Sequence, residues 1–269
     1  MGAYHFEACQ ADRLSSSLHL VTLDQRGTLR SAPLRDDEPL GIQDLIDDCE
    51  AVRIDLGIPQ WSVIGHSFGG YLAVRYAEAH PTSVERLVLE NPTLDPGSSA
   101  RSLLSAAAFE YALTGDQASA YACFAIAYTA DDTPAATLWN QLSTWLGGLG
   151  QRREHLYIFG ENKRIVDEVM GTAPFPEEWW SRGAVHQARL ISDGGIFTPL
   201  QERLSSLPQP TLLIKGRYDH VFAMDQVAAF VKAKPATQWS VYGHSGHFAH
   251  IEEPDRFAAQ VGSFIHQTS

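Results

Sequence analysis

Trp61-Ser62-Val63-Ile64 followed by Gly65-His66-Ser67-Phe68-Gly69 carries a hydrophobic run straight into a glycine-flanked serine, and Tyr71-Leu72-Ala73-Val74-Arg75-Tyr76-Ala77 continues it with helical spacing. The first segment reads as a short buried strand and the last as a helix, so the serine falls on the turn between them. A G-x-S-x-G string in that strand–turn–helix context is a nucleophile elbow. The turn is tight enough to strain the serine backbone, and both flanking glycines are expected to be required because a side chain there would clash. Such a turn lifts the Ser67 hydroxyl above the sheet. It also aims the Phe68 N–H at the place where negative charge develops on a carbonyl oxygen.

Working outward, Leu18-His19-Leu20-Val21-Thr22-Leu23 reads as a buried strand stopped by Asp24-Gln25-Arg26-Gly27. Residues 42–56 place apolar side chains at 42, 45, 46, 49, 52 and 56, a helical period ending at Gly57 with Pro59 beyond. The elbow follows, then a strand over Arg86-Leu87-Val88-Leu89-Glu90. This alternation predicts an α/β fold with a mostly parallel sheet covered by helices on both faces. It breaks from Asp95 to Thr198, where the pattern is helical, rich in alanine and tryptophan, and free of any convincing buried strand. The alternation resumes with a strand at Thr211–Lys215, a helix at Asp225–Val231, a strand at Thr237–Tyr242 and a helix at Pro254–His266. The predicted organisation is a core of residues 1–94 and 199–269 with a helical cap, 95–198, inserted over the strand C-termini, where open α/β sheets bind their ligands.

Bulk properties narrow the function. The 269 residues are 44% hydrophobic and 19% charged, ordinary for a globular protein. The formal net charge of −12 argues against nucleic acid and anionic membrane surfaces as partners. Cys9, Cys49 and Cys123 are widely spaced and show no metal-ligand pattern, so reduced thiols in a cytoplasmic protein are expected. The N-terminal residues carry neither a basic region nor an apolar run of the kind that makes a signal peptide, and Phe6 breaks a myristoylation consensus. The best apolar stretch, Ala118–Ala130, is too short for a membrane span.

A serine nucleophile needs a base, and the base needs an anion to hold its tautomer. In the chain order Ser, acid, His, Asp219 is the expected acid. It lies in Gly216-Arg217-Tyr218-Asp219, just past a hydrophobic strand, and its rival role is an exposed turn residue. Asp95, one strand earlier, is the alternative acid. His247, in Ser245-Gly246-His247-Phe248, is the expected base. His244 and His250 are expected to serve the loop and its packing, and His66 to shape the pocket.

These motifs together resemble the α/β-hydrolase superfamily and, within it, the proline iminopeptidase group. Asp24-Gln25-Arg26-Gly27 with Arg30-Ser31 is similar to that group's D-Q-R-G-x-G-R-S segment, with Leu29 where glycine is usual. Gly216-Arg217-Tyr218-Asp219 is similar to its acid segment and Ser245-Gly246-His247 to its base segment. The resemblance implies a hydrolase without metal or organic cofactor, acting on a small molecule or short peptide. It further implies acidic cap residues that hold a substrate ammonium group. Asp193, in Asp193-Gly194-Gly195-Ile196-Phe197, stands where the group has a glutamate, and Glu110, Glu154, Glu177 and Glu178 are further candidates. The segment 95–198 has twelve acidic against seven basic residues, and solvated helix faces account for most of the acids. Trp179, with Trp139, Trp145 and Trp180, is a candidate pocket wall, packing being the commoner use of tryptophan.

The group's early H-G-G-P-G loop, which supplies the second oxyanion donor, has no counterpart. By spacing it would end near Met1-Gly2, so the first strands of the usual sheet are expected to be missing, and the favoured explanation is a start at an internal methionine of a longer gene product. A chain lacking one donor would lose about 10²–10³ in rate. Three functions follow in order: an aminopeptidase cleaving N-terminal residues, an esterase, lactonase or amidase on a small acyl compound, and a non-catalytic scaffold.

Overall fold

The computed structural model describes residues 3–129 and 132–267; Met1-Gly2, the expected end of the oxyanion loop, and Ala130 lie outside the described residues. Helix α1 (Tyr4–Leu14) comes first, and residues 15–41 follow without regular structure. Helix α2 (Ile42–Asp55) is capped where the Gly41 N–H donates to Asp44 at 2.8 Å, and it ends before Gly57 at φ +65°. The elbow unit is β1 (Trp61–His66) and α3 (Phe68–Ala79), followed by β2 (Val84–Glu90).

Between β2 and the next strand the described residues are helical: α4 (Pro96–Leu113), α5 (Gln117–Ala127), α6 (Ala135–Leu149), α7 (Lys163–Gly171) and α8 (Glu177–Asp193), with short 3₁₀ turns between and after them. Asp95 and Asp116 start α4 and α5 by accepting from the N–H groups of Ser98 and Ser119. Then come β3 (Thr211–Gly216), α9 (Met224–Ala233), β4 (Gln238–Tyr242), α10 (Ala249–Glu252) and α11 (Pro254–Ile265).

The four strands form one parallel sheet in the order β1-β2-β3-β4. Because side chains alternate along a strand, Leu87, Leu89 and Leu213 pack with α2, α3 and α9 on one face, among Leu45, Val74, Tyr76 and Phe230. Val88, Leu212 and Ile214 point the other way, into Leu14, Phe257, Val261 and Phe264 of α1 and α11. Both faces are covered, which is why these strands read as continuous apolar runs. The helices of the insertion have a core of their own around Leu103, Leu104, Ala107, Cys123, Leu138 and Leu142.

One expected element is absent. Leu18–Leu23 forms no strand and pairs with neither edge of the four-stranded sheet, so its apolar, β-branched composition does not by itself make a ladder. Leu18 and Leu20 are half-buried against the cluster around Leu14 instead. No helix is long and apolar enough to cross a membrane among the described residues, and the three cysteines are free thiols.

Candidate active site

The C-terminal ends of all four strands converge on one place, and the elbow is its centre. Ser67 has φ 54° and ψ −121°, a conformation that costs about 1–3 kcal/mol and persists only when the surroundings impose it. They do so through three backbone bonds: the Ser67 N–H donates to Glu90 O (3.0 Å), while Ser67 O accepts from Gly70 (2.9 Å) and Thr93 (3.0 Å). A Cβ at Gly65 would lie 2.4 Å from the Gly69 carbonyl oxygen, and one at Gly70 would lie 2.5 Å from Pro92 Cβ. Gly69 meets nothing within 4 Å. The requirement therefore falls on Gly65 and Gly70, which corrects the expectation that both glycines of the motif are forced. Phe68 opens α3, where the first N–H groups have no intrahelical acceptor.

Asp219 and His247 are brought together on the loops after β3 and β4. His247 Nδ1 lies 2.9 Å from Asp219 Oδ1, with both residues buried. Asp219 also accepts the Val221 and Phe222 N–H groups, each at 2.9 Å, and Lys215 Nζ stands 3.7 Å from its Oδ2. Burial alone would raise this carboxyl. The adjacent His247, Lys215 and backbone donors outweigh burial and hold it down at about 2. Lys215 itself is buried, donates to the Asp219 carbonyl at 3.0 Å, and is pushed down by burial against the pull of Asp219. Asp95, the alternative acid, is occupied in capping α4 through Ser98 N–H (3.0 Å) and Oγ (2.8 Å). Ser67 Oγ is 3.5 Å from Thr93 Oγ1 and makes no hydrogen bond to His247. Such a gap is common before substrate tightens the site.

Several residues that hold this arrangement were not singled out from the sequence. Asn91, at φ 40°, donates to the carbonyls of Gly246 (3.2 Å) and His247 (2.9 Å) and accepts from the Gly216 N–H (2.9 Å). It ties the acid and base loops to the end of β2. Glu252 accepts from the N–H groups of Gly246, Phe248 and Phe159 at 2.9–3.1 Å, and Glu253 accepts from His244 N–H and Ser245 Oγ. Nothing local in the sequence marks Glu252 and Glu253 as clamps on these backbone donors. The Tyr157 carbonyl, from the insertion, accepts the His247 N–H at 2.6 Å, and Phe159 stacks on Tyr218 at 4.4 Å. His66 lies against the base: its Nε2 lies 2.9 Å from the His247 carbonyl and its ring 4.5 Å from that of His247. His250 is more than a packing residue. Its Nδ1 lies 2.9 Å from Glu90 Oε2, a second buried carboxylate–imidazole pair behind the first.

The candidate substrate residues are engaged elsewhere. Glu110 holds Arg152 at 2.8 Å and His155 at 3.1 Å. Asp193 turns back to accept the Gly195 N–H at 3.1 Å and packs beside Gly41. Trp179 stacks on Phe175 at 5.7 Å under Arg182, in a cluster where Phe175 also meets Tyr4 of α1. None of the three contacts Ser67, Asp219 or His247 among the described interactions.

Comparison with known proteins adds an independent line. A family model described as alpha/beta hydrolase fold matches residues 2–254. A probable proline iminopeptidase of Leptolyngbya boryana is 26% identical over 91% of this chain and 80% of its own length. A 2-hydroxymuconate semialdehyde hydrolase of Pseudomonas putida is 25% identical over 78% of this chain, which spans 64% of that relative. The solved esterase of Thermogutta terrifontis superposes with a TM-score of 0.70 over 98% of this chain and 85% of that one, at 17% identity, a likeness of fold.

Proposed function

The chain belongs to the alpha/beta-hydrolase family, and from that premise we propose that it is a serine hydrolase working through an acyl-enzyme, with Ser67 as nucleophile, His247 as general base and Asp219 as the acid that orients it. The observation that carries this reading is the buried Asp219–His247 pair at 2.9 Å on the same sheet edge as the strained Ser67. Ser67 Oγ attacks the substrate carbonyl carbon and its proton passes to His247 Nε2. The Phe68 N–H donates to the oxyanion, and collapse expels the leaving group with the proton returned by His247. Water then repeats the sequence to release the acid. Asp219, held ionised, stabilises the imidazolium. The insertion, through Tyr157 and Phe159, lies against the base and acid loops and would limit substrate size.

For the substrate, the first reading is an aminopeptidase of the proline iminopeptidase kind, supported by the Asp24–Gly27 and Gly216–Asp219 segments and by the relative that spans 91% of the chain. The second is an esterase, lactonase or amidase. The engagement of Glu110 with Arg152 and of Asp193 with Gly195 favours it, since neither carboxylate is then free for an ammonium group. A panel of prolyl and other aminoacyl anilides, their N-acetylated forms and short p-nitrophenyl esters separates them. Turnover that N-acetylation abolishes supports the aminopeptidase. Turnover of esters alone supports the second reading. No turnover of any member by the folded chain would count against a hydrolase.

A further inference from the structure

We propose that His66, Glu90 and His250 form a binding site for one divalent transition-metal ion of the Zn²⁺ type, directly behind His247. The site does not rest on the hydrolase reading. His66 and Glu90 end neighbouring strands and are paired in register, and His250 lies in α10 above them. One ligating atom from each of the three lies within 4.8 Å of the others. Two imidazoles and a carboxylate form a donor set suited to zinc and its neighbours rather than to calcium or magnesium, which prefer oxygen alone.

The surroundings prepare each donor. The Glu90 carboxylate is fully buried, and its Oε1 and Oε2 lie 3.0 and 2.9 Å from His250 Nδ1. Among the described residues the hydrogen-bond partner of the His66 ring is the His247 carbonyl, 2.9 Å from Nε2. A carbonyl only accepts, so Nε2 carries the hydrogen and Nδ1 of the neutral ring presents a lone pair. A histidine donating its second nitrogen to a backbone carbonyl is the usual support of a metal ligand. His5, only 5% exposed, has a buried Nδ1 with no hydrogen-bond partner among the described residues. Phe6 and Phe257 stand 5.5 and 6.0 Å from the His250 ring and keep the surroundings apolar.

The His250–Glu90 spacing needs little change, while the His66 donor, within 4.8 Å of both, has to draw in toward the ion. Two ligands about 2.0–2.1 Å from a tetrahedral ion stand about 3.4 Å apart. His250 Nδ1 and Glu90 are now 2.9–3.0 Å apart, so an ion taking the place of the hydrogen between them opens the contact by about 0.4 Å.

The test uses the full chain freed of metal with a chelator and titrated with zinc sulfate by calorimetry, alongside crystals soaked in the same salt and measured at the zinc absorption edge. The proposal expects one ion per chain, an anomalous peak between the three side chains, and at least about tenfold weaker binding in His250→Gln and Glu90→Gln. A soaked wild-type crystal with no peak there, or with zinc only at surface histidines, overturns it, whether or not the variants fold. So does unchanged affinity in a folded His250→Gln protein, which would leave Glu90–His250 as a structural ion pair alone.

Discussion

Substituting alanine at Gly65 and, separately, at Gly69 should move stability in opposite directions, although the two residues are equivalent in the motif. A Cβ at Gly65 falls 2.4 Å from the Gly69 carbonyl oxygen and 2.7 Å from its carbon, and both are backbone atoms that no rotamer can move aside. Relief requires the elbow itself to open by several tenths of an ångström. Strain of that kind costs about 1–3 kcal/mol, and the three backbone bonds that hold Ser67 share it. At Gly69 the added methyl meets nothing within 4 Å, lies in the first turn of α3 and needs no positive φ. Glycine in a helix costs about 0.5–1 kcal/mol relative to alanine, so Gly69→Ala should gain a few tenths to 1 kcal/mol. For a chain of this size 1 kcal/mol corresponds to about 2–4 °C in Tm. Thermal and urea unfolding should therefore show Gly65→Ala falling by about 2–12 °C and Gly69→Ala rising by about 1–4 °C. Equal losses in both variants would refute the assignment of the steric requirement to Gly65.

The buried charges give two further expectations. Asp219→Asn should cost about 3–5 kcal/mol by leaving Lys215 charged and unpaired, and Lys215→Met in the same chain should recover more than half; urea unfolding of the single and double variants measures this, and additive losses would contradict the pairing. Asp219 is lowered from its ordinary value of 3.8 to about 2, so its ionised form stabilises the fold above pH ~4 and that contribution fades as pH falls through about 2. Its contribution is about 2 kcal/mol at pH 5, of which about half is lost by pH 3. The stability difference between wild type and Asp219→Asn should shrink by about 1 kcal/mol between those two pH values, and a constant difference would count against the lowered carboxyl.

Much of this arrangement was legible in the chain, for identifiable reasons. The strand at Trp61–His66 and helix at Phe68–Ala79 followed from a hydrophobic run giving way to helical spacing at a glycine-flanked serine, signals that are local in sequence. Asp219 and His247 were legible because each falls just past an apolar run, where a strand-end loop presents it. Leu18–Leu23 was misread because its composition suits a strand, but a strand exists only where a neighbour completes its hydrogen bonds, and that is a tertiary condition. Asn91 and the Glu90–His250 pair gave no local sign, since their partners lie 125–160 residues away. Gly70, the second glycine the elbow needs beside Gly65, was hidden because its constraint comes from Pro92 across the turn.

The most direct test of the account is fluorophosphonate labelling of the folded chain, with the modified residue located by mass spectrometry. The account predicts one adduct on the peptide containing Ser67, absent in Ser67→Ala and much slower to form in His247→Gln. A folded wild-type chain that resists the reagent, or that is labelled equally in Ser67→Ala, would contradict it.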